Sequence, residues 1–172
     1  MTDLRRFIRD IPDFPKPGIV FKDITPLLSD GQALRASVDG LKELAAGLPC
    51  DVIVGIESRG FMFGAALALA MGKGFVPVRK PGKLPYRVVR QSYSLEYGTD
   101  TIEMHDDALS KGHSVLVVDD LVATGGTAAA TCELVEKLGA RVSGLVFVVA
   151  LDFLPWKKKL GSREVRALIR YA

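Results

Sequence analysis

Apolar positions along this chain change period several times, and each change predicts an element. Between Asp3 and Ile11, Leu4, Phe7, Ile8 and Ile11 recur at helical spacing, and the segment ends in a rigid loop of Pro12, Pro15, Pro17 and Gly18. Leu34, Val38, Leu41, Leu44 and Ala45 share one face of a helix predicted over Gln32–Gly47, with Ser29 or Asp30 placed to cap it. From Asp51 the pattern changes. Asp51-Val52-Ile53-Val54-Gly55-Ile56 is a short β-branched run, and an apolar helix is predicted behind it over Phe61–Met71. Gly74–Val78, Ser114–Val118 and Arg141–Leu151 are again strand-like, while Thr127–Leu138 is helical and stops at Gly139. A strand without strict alternation is one buried on both faces. Such strands alternating with helices form βαβ units, so the expected fold class is α/β, a central mostly parallel sheet flanked by helices. Val165–Tyr171 alternates well enough to be a last strand at an edge.

The stretch from Arg79 to Asp107 departs from this rule. Arg79-Lys80-Pro81-Gly82-Lys83-Leu84-Pro85-Tyr86-Arg87 is basic and full of breakers. Ser92–Tyr97 and Thr101–His105 then read as two partly exposed strands around Gly98-Thr99-Asp100. An insertion of this kind, between strands whose C-terminal ends face the ligand side, is expected to be a lid or binding flap.

Composition narrows the class. The 172 residues suit one domain, and 48% apolar with 25% charged residues excludes a disordered or fibrous chain. A net charge of +3 is too small to argue for a nucleic-acid partner. Phe61–Met71 falls short of the ~20 residues that span a bilayer, and no apolar stretch follows Met1–Arg6 as in a secretory signal. The expectation is a cytoplasmic protein with no membrane partner. Cys50 and Cys132 form no CxxC pair, and the absence of Asn removes N-glycosylation. His105 and His113 lack companions at metal-ligand spacing and read as surface residues, and Trp156-Lys157-Lys158-Lys159 reads as a solvated turn.

The chemistry concentrates in Val115-Leu116-Val117-Val118-Asp119-Asp120-Leu121-Val122-Ala123-Thr124-Gly125-Gly126-Thr127. A buried strand delivers two adjacent carboxylates to its C-terminal tip, and Thr124-Gly125-Gly126-Thr127 opens the next helix. Glycines let backbone N–H groups approach an anion, threonines add hydroxyls, and the helix N-terminus favours negative charge. This is a phosphate cradle. Asp119 and Asp120 beside it suit vicinal hydroxyls or a hydrated Mg²⁺. Phosphate, diol and metal together describe a ribose 5-phosphate with a charged leaving group. Competing motifs fail. Phe61-Met62 stand where a Walker A loop needs Lys and Ser or Thr, and Ile56 stands where a hydrolase elbow needs Gly. Too little chain follows Asp120 for a receiver domain.

The same run resembles the 5-phosphoribosyl 1-diphosphate (PRPP) motif of type I phosphoribosyltransferases. Phe14–Leu27 resembles the base-binding segment of that family, Gly55–Phe61 its diphosphate loop, and Arg79–Pro85 with Tyr93–Gly98 its flexible catalytic loop. The resemblance is collinear from about Phe14 onward. Val20-Phe21-Lys22-Asp23-Ile24 and Ser94-Leu95-Glu96-Tyr97-Gly98 are similar to the members that act on adenine.

The resemblance implies a single domain over residues 1–172. Residues 1–30 would form a base-binding hood, and 79–105 a flexible loop and hairpin. It implies that Phe21 stacks on the purine while the backbone of Val20 and Lys22 reads its edge. Ser58 and Arg59 would bind diphosphate on a turn with a cis Glu57–Ser58 peptide, helped by Arg79, Lys80 and Lys83. Asp119, Asp120, Ala123, Thr124, Gly125, Gly126 and Thr127 would hold the ribose phosphate. Mg²⁺ would be carried mainly by PRPP, with no direct metal ligand from the chain. Glu96 would handle the purine proton and Tyr97 cover the site, with Glu103 as the alternative to Glu96. The implied reaction converts adenine and PRPP to AMP and diphosphate in a homodimer. A PRPP-sensing regulator that has lost catalysis is the competing reading.

Overall fold

The computed structural model describes residues 3–94 and 98–172. Leu4–Phe7 form a single 3₁₀ turn, and Arg9–Pro12 form strand β1, antiparallel to β2 (Val20–Asp23). The helix expected over Asp3–Ile11 is therefore one turn followed by a strand. Two opposed charge pairs explain the outcome: Arg9 faces Asp23 and Asp10 faces Lys22 in register, with ion pairs of 2.8 and 2.7 Å. Leu4, Phe7 and Ile8 still pack against the core, so the helical spacing served a turn and its exit.

Helices α1 (Thr25–Ser29) and α2 (Gly31–Leu44) follow. Of the two candidate caps Asp30 acts, its carboxylate accepting from the backbone of Gln32 and Ala33 at 3.0 and 2.8 Å. Then come β3 (Val52–Ile56), α3 (Gly60–Met71) and β4 (Gly74–Val78). The hairpin of β5 (Val88–Ser94) and β6 (Thr99–His105) interrupts the alternation, which resumes with β7 (Ser114–Val122), α4 (Gly126–Lys137), β8 (Arg141–Leu151), α5 (Trp156–Leu160) and β9 (Val165–Tyr171).

Five of these strands make one parallel sheet, ordered β4-β3-β7-β8-β9. Side chains alternate between two buried layers. Val52, Val54, Val115 and Val117 face a core shared with α4 and β6, while Ile53, Leu116 and Val118 face one shared with α2 and α3. Both faces being covered is why these strands read as unbroken apolar runs. The last strand does lie at an edge, as its alternation suggested.

Two expectations on the flanks are corrected. Strand β6, expected to be partly exposed, is so only toward its ends, since Ile102, Glu103 and Met104 are buried where the hairpin packs on α4. Trp156 belongs to no solvated turn, being 4% exposed in the core while Lys157, Lys158 and Lys159 face outward.

The sheet order also locates a crevice. The chain leaves β3 toward β4 on one side and leaves β7 toward β8 on the other, so the winding reverses between β3 and β7. Pairing of β3 with β7 is recorded as far as Gly55–Val118, whereas β7 runs on beside β8 to Val122. Asp119 and Asp120 thus lie where β7 has outrun its neighbour. Among the described residues no helix is long and apolar enough to cross a membrane.

Candidate active site

The cradle is built on the turn from β7 into α4. Gly125 adopts φ +80°, and a Cβ there would lie 3.0 Å from the Trp156 Cβ and 3.1 Å from its backbone. Glycine is thus required twice, for conformation and for space. A pocket of about 110 Å³ is lined by Asp119 and by residues 121–128, including Ala123, Thr124, Gly125, Gly126 and Thr127. Gly60, the first residue of α3, lies against β7 so closely that a Cβ would sit 2.6 Å from Asp119 Oδ1.

The carboxylate pair is tightly organised. The Asp120 backbone N–H donates to Asp119 Oδ1 at 2.9 Å, and Arg59 Nε lies 2.9 Å from Asp120 Oδ2 in an ion pair. Burial and the neighbouring Asp120 charge push the Asp119 carboxyl well above its ordinary range. Burial also raises Asp120, with Arg59 opposing.

Arg59 joins a third segment. Its guanidinium lies 5.3 Å from the centroid of the Phe21 ring, so β2, the turn after β3 and β7 meet at this one side chain. The Glu57–Ser58 peptide is cis, as the resemblance implies. Phe21 is half-buried with the Phe14 ring edge-on at 5.2 Å, and Val20 is 48% exposed. Lys22 turns its side chain away, onto Asp10 at 2.7 Å and over the Tyr171 ring at 4.2 Å. Among the described residues β2 pairs only with β1, which leaves its other edge open.

The flap cations are not free. Glu57 accepts from Arg79 Nε at 3.1 Å, from the Lys80 backbone N–H at 2.9 Å and from Lys83 Nζ at 2.6 Å. Burial alone would raise the Glu57 carboxyl, but the bonds from Lys83, Lys80 and Arg79 outweigh it and hold it at about 2. Lys80 Nζ pairs instead with Asp100 and with Tyr93 Oη. Both Glu57 and Asp100 escaped the sequence reading as partners of these cations. The only signal was the cluster of positive charge in Arg79–Lys83, and its partners lie 20 or more residues away in sequence.

Glu103, the alternative to Glu96, is fully engaged within the protein. Glu103 is 1% exposed, with Oε1 accepting from Arg90 Nε at 2.5 Å and Oε2 from the Gly82 N–H at 3.1 Å, while its backbone bridges to Arg79. Its carboxylate ties the flap at Gly82 to Arg90 on β5. Glu96 and Tyr97 lie outside the described residues. His105 and His113 are half-buried, and no cluster of three metal-ligating side chains occurs among the described residues.

Comparison with known proteins agrees with this geometry. The family model described as "Phosphoribosyl transferase domain" matches residues 32–152. The adenine phosphoribosyltransferase of Kosmotoga olearia is 57% identical over 169 residues, covering 98% of this chain and 99% of that one. The crystal structure of the enzyme of that name from Thermoanaerobacter pseudethanolicus superposes with a TM-score of 0.96 at 50% identity, covering 98% of each chain. That from Saccharomyces cerevisiae, complexed with an imino-altritol bisphosphate and adenine, gives 0.88 at 44% identity, covering 95% of this chain and 94% of that one. With the α/β sheet, the crevice at its winding reversal and this identity over nearly the whole length, the chain belongs to the adenine phosphoribosyltransferase family.

Proposed function

We propose that this protein transfers the 5-phosphoribosyl group of PRPP to adenine, giving AMP and diphosphate. The observation that carries the reading is the convergence at Arg59. Within one crevice it joins the aromatic ring of the hood to the buried carboxylates that flank a phosphate cradle. The ligands named in the yeast relative's complex, adenine and a sugar-like bisphosphate, have the chemistry those two halves suit.

Residues 1–30 act as the hood and 79–105 as the flap of a single unit. Phe21 stacks on the purine, and the backbone of Val20 and Lys22 reads its edge. Once the bound base covers that edge, a 6-oxo purine is rejected because a misplaced donor leaves groups unpaired. Ala123, Thr124, Gly125, Gly126 and Thr127 bind the 5-phosphate through N–H and hydroxyl groups, and Asp119 and Asp120 accept from the ribose hydroxyls. Ser58 and Arg59 face the diphosphate, with Arg79, Lys80 and Lys83 above them. Loss of diphosphate develops oxocarbenium character at C1, so water must be excluded, and the flap closing over the crevice does this. Glu96 handles the purine proton and Tyr97 covers the site.

The carboxylate pair also fits Mg²⁺. Asp120 Oδ2 is already held by Arg59 Nε at 2.9 Å, so the two adjacent carboxylates would meet a hydrated Mg²⁺ through its waters while PRPP supplies the direct oxygen ligands. Carried mainly by PRPP, with no direct ligand from the chain, Mg²⁺ would neutralise charge on the diphosphate. The reading places the protein in the cytoplasm as a homodimer, as the family resemblance implies.

A diphosphate-release assay with PRPP and Mg²⁺ tests it, adding adenine, hypoxanthine, guanine, xanthine and orotate in turn. Release with adenine alone is expected. Release with another base instead would overturn the base assignment, and PRPP binding without release for any base would make the protein a regulator.

A further inference from the structure

Tyr93 on β5 and Asp100 on β6 are directly opposed in the hairpin register, so their side chains share a face. The Tyr93 hydroxyl donates to Asp100 Oδ2 at 3.0 Å. The same hydroxyl accepts from Lys80 Nζ at 3.3 Å and from Thr127 Oγ1 at 3.1 Å. One proton given and two accepted use the full capacity of a phenol oxygen. Lys80 Nζ also forms an ion pair with Asp100 Oδ2. Flap, both hairpin strands and the first turn of α4 are thereby tied at one point. The ring packs closely on Gly126, where a Cβ would lie 3.2 Å from Tyr93 Cδ2.

The flap's cations are divided between two anchors. Glu57 takes Arg79 and Lys83, while Lys80 is turned to the hairpin, beside the hydroxyl of the cradle's last residue. We infer that Tyr93 and Asp100 are positioning residues, which hold the Lys80 ammonium at the edge of the phosphate cradle and link it there to Thr127. The inference rests on the phosphoribosyl-transfer reading above. A lysine side chain loses substantial rotamer freedom when it is fixed, and one already fixed does not bear that cost when a polyanion binds. The charge states agree with the geometry: burial opposes both charges, but the bonds between them hold Lys80 above and Asp100 below their ordinary values.

Sign makes the inference testable. Asp100 is an anion near the site of a polyanionic substrate, so by Coulomb's law alone Asp100→Asn should tighten PRPP binding. Positioning predicts the reverse, a KM for PRPP raised about tenfold with kcat and the KM for adenine little changed, as for loss of one charge-assisted bond. Tyr93→Phe should raise the same KM by a smaller factor, and its near-isosteric ring preserves the packing should Asp100→Asn fail to fold. In a Lys80→Gln background, both effects should vanish. A purely structural role would lower the Tm and raise both KM values with or without Lys80. An active wild type whose KM for PRPP is unmoved or lowered by Asp100→Asn, or an effect additive with Lys80→Gln, would overturn this inference alone. A wild type inactive with every base would overturn the transfer reading and this inference together.

Discussion

At Gly60 a Cβ would meet Asp119 Oδ1 at 2.6 Å and the Val118 carbonyl at 3.0 Å, so the start of α3 and the carboxylate pair occupy one shared space. Gly60→Ala should therefore displace Asp119 as well as strain the helix start. The expected result is a loss of about 1–3 kcal/mol of stability by overpacking, with a raised KM for PRPP, read by thermal unfolding and steady-state kinetics. Glu57 supplies a second prediction at this scale. Its folded value of about 2 lies below the ordinary carboxylate value, so the stability it contributes is present above roughly pH 4.5 and is lost as pH falls toward 2. Glu57→Gln should be less stable than the wild type by about 1–2 kcal/mol at pH 7, after discounting for the half-exposed Lys83 and Arg79 partners. That difference should shrink steadily between pH 4.5 and 2 in acid-unfolding measurements. A difference independent of pH would show that the carboxylate's charge does not hold the flap. The sequence reading placed both residues in the diphosphate loop but not in these contacts, because a Cβ clash and a pairing across more than 20 residues arise only when the chain is folded.

The elements show where periodicity sufficed. Continuous apolar runs identified β3, β4, β7 and β8 because both faces of each strand are covered, and the Thr-Gly-Gly-Thr turn identified the start of α4 because its glycines answer a close approach. Periodicity misled at β1, where cross-strand pairs with Asp23 and Lys22 outweigh the helical spacing of Leu4, Phe7 and Ile8. It misled again at β6, whose burial depends on the hairpin lying against α4. The hood carries a prediction of its own. Tyr171, the last residue of β9, receives Lys22 Nζ over its ring at 4.2 Å and the Arg5 guanidinium at 5.5 Å. Such contacts amount to about 0.5–1 kcal/mol each at exposed sites. Tyr171→Ala should loosen the hood and raise the KM for adenine several-fold while leaving the KM for PRPP in place. Equal changes in both would mean that Tyr171 supports the sheet instead.

On the scale of the whole molecule, the winding reversal between β3 and β7 explains why segments far apart in sequence meet. Phe21 comes from the hood, Arg59 from the turn after β3 and Asp120 from β7, yet they form one chain of contacts across the crevice. The separate pieces were legible as motifs; their convergence on Arg59 was not, since no local pattern encodes strand order. The central claim is that this crevice has two halves, a hood that recognises the base and a cradle that holds the ribose phosphate. The most direct measurement is the pair of KM values, for adenine and for PRPP, in Phe21→Ala and Thr124→Ala. Loss of a stacked aromatic should raise the adenine KM by about tenfold or more in Phe21→Ala, with the PRPP KM unchanged, and Thr124→Ala should do the opposite. If both constants rise together in each variant, or if Phe21→Ala moves only the PRPP value, the division of the site described here is wrong.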